Sequence, residues 1–206
     1  METGVLPLPQ QAHAPLRTRV GKRPITIGIL GDQRPDKGYG KVPVVITALL
    51  AQHEHIRFLV HNAAPAGMPG TQESVRQIAA TDSRVTVDER PADGSMWQSL
   101  LADTDLMLCP YNPTRYVASY SAVVVEALAN GIPVVGPAST TLSRFVADNS
   151  GAIVTFDAYA AQDIADATHK ALLDYDALAA TAFAAAEQWD SQDRKALLVD
   201  CILGNR

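Results

Sequence analysis

Six short aliphatic runs, each separated from the next by a stretch of helical periodicity, constrain this chain more than any other feature. The runs are Ile25 to Leu30, Ile56 to Val60, Val85 to Val87, Asp105 to Cys109, Pro133 to Val135 and Ala152 to Phe156. They are rich in β-branched residues, and the first is closed by Gly31, the pattern of buried strands. After the first run, Val42, Val45, Ile46, Leu49 and Leu50 recur at i, i+3, i+4, i+7 and i+8, one apolar stripe of a helix. Pro43 is tolerated only in a first turn, so that helix is predicted to start near Gly40. Further helices are predicted over 72–80, 96–102, 121–129 (ended by Gly131) and 142–147. An alanine-rich stretch from Ala161 to about Trp189, interrupted near Tyr175, and a segment from Arg194 to Leu203 supply long C-terminal helices. Strands alternating with helices across short loops imply an α/β fold, a doubly wound parallel sheet covered on both faces. Ligands of such sheets bind outside the carboxyl ends of the strands, where strand order reverses. The site is therefore expected in the loops after the first, third, fourth and fifth strands.

Composition narrows the function. The 206 residues are 47% apolar and 19% charged, which suits one globular domain, here 24–206. A formal charge of −5 and the lack of a Lys/Arg stripe argue against nucleic acid as the main partner. No apolar run approaches the ~20 residues needed to span a bilayer, and Met1-Glu2-Thr3-Gly4 lacks the layout of a signal peptide. Two cysteines, Cys109 and Cys201, do not form a disulfide framework. The expected setting is cytoplasmic. Residues 1–23 contain a proline-rich stretch, Leu6 to Pro15, without periodicity, and a basic run (Arg17, Arg19, Lys22, Arg23) that reads as solvated surface. They are expected to be an extended linker, preceded by another part of a parent protein.

Two loops carry candidate chemistry. The first, Gly31 to Gly38, is neither a GxGxxG fingerprint nor a Walker A loop, yet it places Arg34 and Lys37 beside a helix N-terminus. Backbone N–H groups and the dipole favour an anion there, and two cations strengthen the effect. The other reading is a solvated turn with Arg34 paired to Asp32 or Asp36. The second loop follows the fourth strand, Pro110 to Tyr116, and leads through Ser119, Tyr120 and Ser121 into the next helix. Ser119 or Ser121 can cap that helix. Within it, Glu126 lies among apolar neighbours from Val123 to Leu128, where a lone carboxylate is costly without a partner. A carboxylate accepting two vicinal hydroxyls is a common way to hold a ribose or hexose.

The stretch Ser119 to Pro137, with its Glu-Ala-Leu-Ala-Asn-Gly-Ile-Pro-Val-Val core, resembles the donor-binding, C-terminal half of GT-B glycosyltransferases, most closely family 4 (group 1). The Gly31 to Gly38 loop is similar to that family's glycine-Arg-Lys-Gly loop, and the likeness runs from about Pro24 to Trp189. It implies a Rossmann-like fold and a hexosyltransferase-type transfer from a nucleotide sugar, UDP- or GDP-linked, with no metal and no further cofactor. In that likeness Glu126 matches the second glutamate of the E-x7-E motif, which holds the ribose. Arg34 and Lys37 match the diphosphate cations and act as catalytic groups, stabilising charge on the departing phosphate. Ser119, Tyr120 and Ser121 match the turn whose amides touch the sugar and its phosphate. Arg90 and Pro91 fall where backbone reads the base. The first glutamate of the motif falls on Ala118, and serines stand at 119 and 121 where glycines are usual. Arg115 or Tyr116 could substitute in the sugar pocket, although a surface ion pair is the favoured reading of Arg115.

The resemblance also implies a second, N-terminal half that binds the acceptor, so this chain alone is expected to transfer poorly. Any membrane association would come through the acceptor. The alternative, motivated by Ala118, is a non-catalytic GT-B-like module for nucleotide binding or interaction. An epimerase of the same fold would need cleft acid/base residues that the chain lacks apart from Glu126. A phosphoacceptor receiver domain would need a lysine after the fifth strand, where Gly136-Pro-Ala-Ser139 stands. Cys109, Trp97 and Trp189 read as packing residues. His53, His55, His61 and His169 read as surface.

Overall fold

Every residue of Ile25–Ile29 (β1) except Thr26 is buried, and this strand sits near the middle of the sheet. In this computed structural model, residues 23–63, 68–189, 194–196 and 198–200 are described. The linker expected over 1–23 lies outside them except for Arg23, as do Cys201 and the end of the last expected helix. β1 pairs in parallel with β2 (Ile56–His61) on one side and β4 (Leu106–Leu108) on the other. β3 (Val85–Asp88), β5 (Val134–Pro137) and β6 (Ile153–Phe156) complete a six-stranded parallel sheet in the order β3-β2-β1-β4-β5-β6. The expected doubly wound, Rossmann-like α/β architecture is the observed one.

Alternation along β1 builds the two layers. Ile25, Ile27 and Ile29 join a core with Val42, Val45, Ile46 and Leu49 of α1 (Val42–Gln52) and Val75 of α2 (Pro69–Thr81). Ile164, Ala167 and Ala171 of α6 (Ala161–Leu173) complete that layer. Leu59 and Met107 point into the opposite core, with Leu100 and Leu101 of α3 (Gly94–Ala102), Val123 and Val124 of α4 (Ala122–Ala129) and Leu142 and Val146 of α5 (Thr141–Asp148). The long C-terminal helix is broken at Asp174, next to the expected interruption, giving α6 and α7 (Tyr175–Glu187). Tyr175 still belongs to the first core, whereas Ala185 packs in a smaller cluster with Val125 and Leu128 of α4 and Phe145 of α5, on the opposite side. α7 therefore straps across the edge of the sheet and joins the two layers.

Asp105, immediately before β4, ties that strand to the start of β1. Its carboxylate accepts from the Arg23 guanidinium at 2.7 Å through one nitrogen, more closely through the other, and from the Thr26 N–H at 2.9 Å. Three sequence expectations change in detail. α2 begins at Pro69, before the expected Gln72, because proline suits a first turn. β5 continues to Pro137, which pairs with Phe156. His61 is buried, with 6% of its surface exposed, and His53 meets His169 across the α1–α6 packing, Nε2 to Nδ1 at 2.9 Å. These histidines are structural rather than free surface groups. Among the described residues, no helix is long and apolar enough to cross a membrane.

Candidate functional site

β1 is followed by α1 on one face of the sheet, and its neighbour β4 is followed by α4 on the other. The loops leaving their carboxyl ends diverge, and the crevice between them is the switch point of the fold. Residues 31–38 form one wall. Pro35 opens a 3-10 turn over Pro35–Lys37, which closes on Gly38 at φ 72°, with the Gly38 N–H donating to the Pro35 carbonyl at 3.0 Å. A side chain at Gly38 would be strained by that φ and would place its Cβ 1.7 Å from the Pro110 carbonyl oxygen. Only glycine lets this wall close onto the loop after β4. The two loops are further joined where the Asn112 N–H donates to the Asp36 carbonyl at 2.9 Å.

The other wall begins at Pro110. Tyr111 and Tyr116 are buried and lie ring against ring, centroids 4.6 Å apart. Ser121 occupies the N-cap position of α4, but its side chain makes no capping bond; its hydroxyl lies 3.3 Å from that of Tyr111. The first turn of α4 is thus left without a side-chain acceptor for its N–H groups. Lys37 reaches toward this end. A Cβ built on Gly31 would stand 3.0 Å from Val123 Cγ2, in the first turn of α4, and 3.5 Å from Lys37 Nζ. The same ammonium lies 5.7 Å from the Tyr111 ring centroid. Lys37 is half-buried and has no ion pair among the described residues. Burial lowers its pKa, against an opposing pull from Asp32, and the nearby Arg34 charge lowers it further. An unpaired ammonium and a positive helix end, brought together in a place partly withdrawn from water, repel one another until an anion joins them.

The remaining expected site residues divide. Arg34 takes one of the carboxylate partners considered from sequence, with its guanidinium 3.3 Å from Asp36, and Tyr116 donates to the same carboxylate at 3.5 Å. Arg34 also bonds to the Tyr116 side chain, the largest cause raising its pKa. Ser119 and Arg115 are exposed. Tyr120 turns its ring edge-on to Phe145 of α5, centroids 6.2 Å apart, toward the α7 side of α4. The Arg90 side chain is held by Asp88 at 2.5 Å, while its carbonyl lies 2.9 Å from His61 Nε2. Cys109 is buried with its pKa pushed up to about 12, so it is a neutral packing thiol at physiological pH.

Glu126 is half-buried on α4, and its Oε2 accepts from the indole N–H of Trp97 on α3 at 2.5 Å. The sequence suggests a partner for this carboxylate but assigns Trp97 only to packing. Trp97 in turn meets the buried His61 ring edge-on, centroids 6.4 Å apart. Among the described residues, no group of three or more His, Cys, Asp or Glu is arranged to hold a metal ion.

No family model matches the sequence, and no curated protein matches it. The fold does match solved structures. The C-terminal domain of a glycosyl transferase group 1 family protein (LpcC) from Francisella tularensis superposes with TM-score 0.62 at 20% identity, over 81% of this chain and 87% of that one. HepE from Anabaena, in complex with UDP-glucose, gives 0.64 at 19% identity over 88% of this chain and 49% of its own length. The catalytic domain of starch synthase IV from Arabidopsis thaliana, bound to ADP and acarbose, gives 0.63 at 15% identity over 89% of this chain and 39% of that one. The six-stranded sheet with its flanking helices is therefore the architecture of GT-B C-terminal domains.

Proposed function

We propose that this chain binds the donor of a glycosyltransferase, a nucleoside diphosphate sugar, in the crevice between β1 and β4. The observation that carries the reading is the half-buried Lys37 ammonium, without an ion pair among the described residues, beside the start of α4, where the N-cap side chain makes no capping bond, with the Glu126 carboxylate further along the same helix. A diphosphate satisfies the cation and the helix end together, and a sugar hydroxyl pair suits the carboxylate. The solved neighbours support the same chemistry, one holding UDP-glucose and another ADP. In this reading glycosyl transfer breaks the bond between the anomeric carbon and the diphosphate. Lys37 and the α4 amides, already in place, take up the negative charge that develops on the departing phosphate oxygen, without a metal. Arg34 joins them by exchanging Asp36 for the phosphate. Arg90 lies on the base side, Ser119, Ser121 and Tyr120 line the turn before α4, and Arg115 is placed for the sugar.

The chain spans less than half the length of HepE and of the starch synthase domain. We therefore read it as the donor half, with the acceptor, a hexosyl-type transfer and a completed cleft belonging to a two-domain protein. Ala118, exposed at the position of the missing carboxylate, favours a second reading in which the crevice binds a nucleotide without transferring sugar. Calorimetric titration with UDP, GDP and ADP tests the donor site. One nucleotide is expected to bind, with affinity lowered at least ~10-fold by Lys37→Ala and by Glu126→Ala, since each removes a charge-assisted contact. Binding that ignores both substitutions would place the ligand elsewhere and refute the assignment.

A further inference from the structure

The Trp97–Glu126 bond has a consequence for the ligand, given the reading above. The terminal torsion of a glutamate is broad, so a free carboxylate samples many orientations. Here one lone pair of Oε2 is taken by the Trp97 N–H at 2.5 Å. An ionised carboxylate offers about four lone-pair sites, and the indole bond, which occupies one of them, restrains its orientation. Trp97 is itself well fixed. α3 starts on Asp93, whose side chain caps the Met96 N–H at 2.8 Å, and the Trp97 N–H of the backbone bonds to the Asp93 carbonyl at 2.9 Å. Its ring rests against His61, which is held by its Nε2 bond to the Arg90 carbonyl and by the Gln33 amide bonded to the His61 carbonyl. Residues from the ends of β2 and β3 and from α3 thus converge on the orientation of one carboxylate.

We propose that Trp97 is a positioning residue that makes this crevice selective for ribonucleoside diphosphates over their 2′,3′-dideoxy counterparts, by holding Glu126 ready to accept the ribose diol. In this proposal Trp97 acts through the carboxylate it bonds. Its removal therefore weakens the bond that needs an oriented acceptor and spares the contacts of base and diphosphate.

The test titrates the chain with UDP, GDP and ADP, each against its 2′,3′-dideoxy analogue, for wild type and Trp97→Phe. Benzothienylalanine at position 97, which keeps the bicyclic shape and removes only the N–H, provides a second variant should phenylalanine disturb the fold. Wild type is expected to prefer the ribonucleotide. Either variant should cut that preference by about 10-fold, the worth of a hydrogen bond to a charged group, with dideoxy affinity unchanged. The indole N–H resonance of Trp97 should also move on Glu126→Gln, with or without nucleotide. Equal loss for both ligands would reduce Trp97 to packing and overturn the proposal, as would wild-type binding without ribose discrimination. Failure of wild type to bind any of the nucleotides would instead overturn the donor-site reading, and this proposal with it.

Discussion

An ammonium partly withdrawn from water, with no carboxylate in ion-pair range, costs a folded chain stability, and among the described residues Lys37 is in that position. Its pKa is lowered mainly by burial, so the folded chain holds that proton less tightly than the unfolded chain does. At neutral pH, below the ordinary lysine value, the charged form is then a net burden on the fold. Lys37→Met is expected to leave the melting temperature unchanged or raise it by ~2–4 °C, the shift that about 1 kcal/mol produces at this size. The same substitution should weaken nucleoside diphosphate binding at least ~10-fold, as expected for Lys37→Ala. A lower melting temperature with intact binding would show that Lys37 serves the fold instead. Lys37 and Glu126 could be picked out in the sequence because each is a charge in an unusual local setting, one beside a glycine-closed loop and one inside an apolar helix. Trp97 and His61 could not. Each finds its partner 29 residues away in another element, and no local pattern in a single sequence records that distance. Even the Asp36 partner of Arg34 was one of two choices that only the turn geometry decides.

Between elements, the contact of α1 with α6 carries a pH dependence. His53 Nε2 lies 2.9 Å from His169 Nδ1, a bond that needs at least one neutral ring as acceptor. The His53 pKa is lowered, first by burial and then by His169. A lowered folded value means that this pair contributes its stability above the unfolded value of about 6.5 and loses it as pH falls through the folded value. The urea midpoint should therefore drop as pH falls from 7.5 to 5.5. His53→Gln should flatten that slope, and an unchanged slope would count against the pair. At this scale the sequence was nearly sufficient. All six strands and the seven helices α1 to α7 appear where periodicity put them, because buried parallel strands and striped helices mark themselves locally. The boundaries moved where partners decide them. Pro137 stays in the sheet because Phe156 pairs with it, and Cys109 leaves the strand proper although its N–H still reaches the Val135 carbonyl at 2.8 Å.

At the scale of the whole molecule, the crevice is built by two loop walls, after β1 and β4, and by the helix end of α4. On the donor-half reading, purified chain supplied with a nucleotide sugar that it binds is expected to release sugar no faster than the unaided reaction, because excluding water and holding an acceptor fall to the other half of the cleft. Turnover measured by release of the free nucleoside diphosphate checks this, and sustained transfer by the chain alone would show that the site is complete as it stands. The strand order was beyond the reach of the sequence, since periodicity identifies strands and says nothing of their neighbours. Handedness and short loops limited the choices, and packing selected one. The closure of the first loop onto the second, with Gly38 against the Pro110 carbonyl and the Asp36 carbonyl bonded to Asn112, bears on how a ligand arrives. Both walls are fastened to each other before any anion enters, so little backbone freedom is left to lose on binding. Encounter should then be governed by diffusion and by the local field of Lys37, slowing as ionic strength rises, and not by the rate of a conformational change.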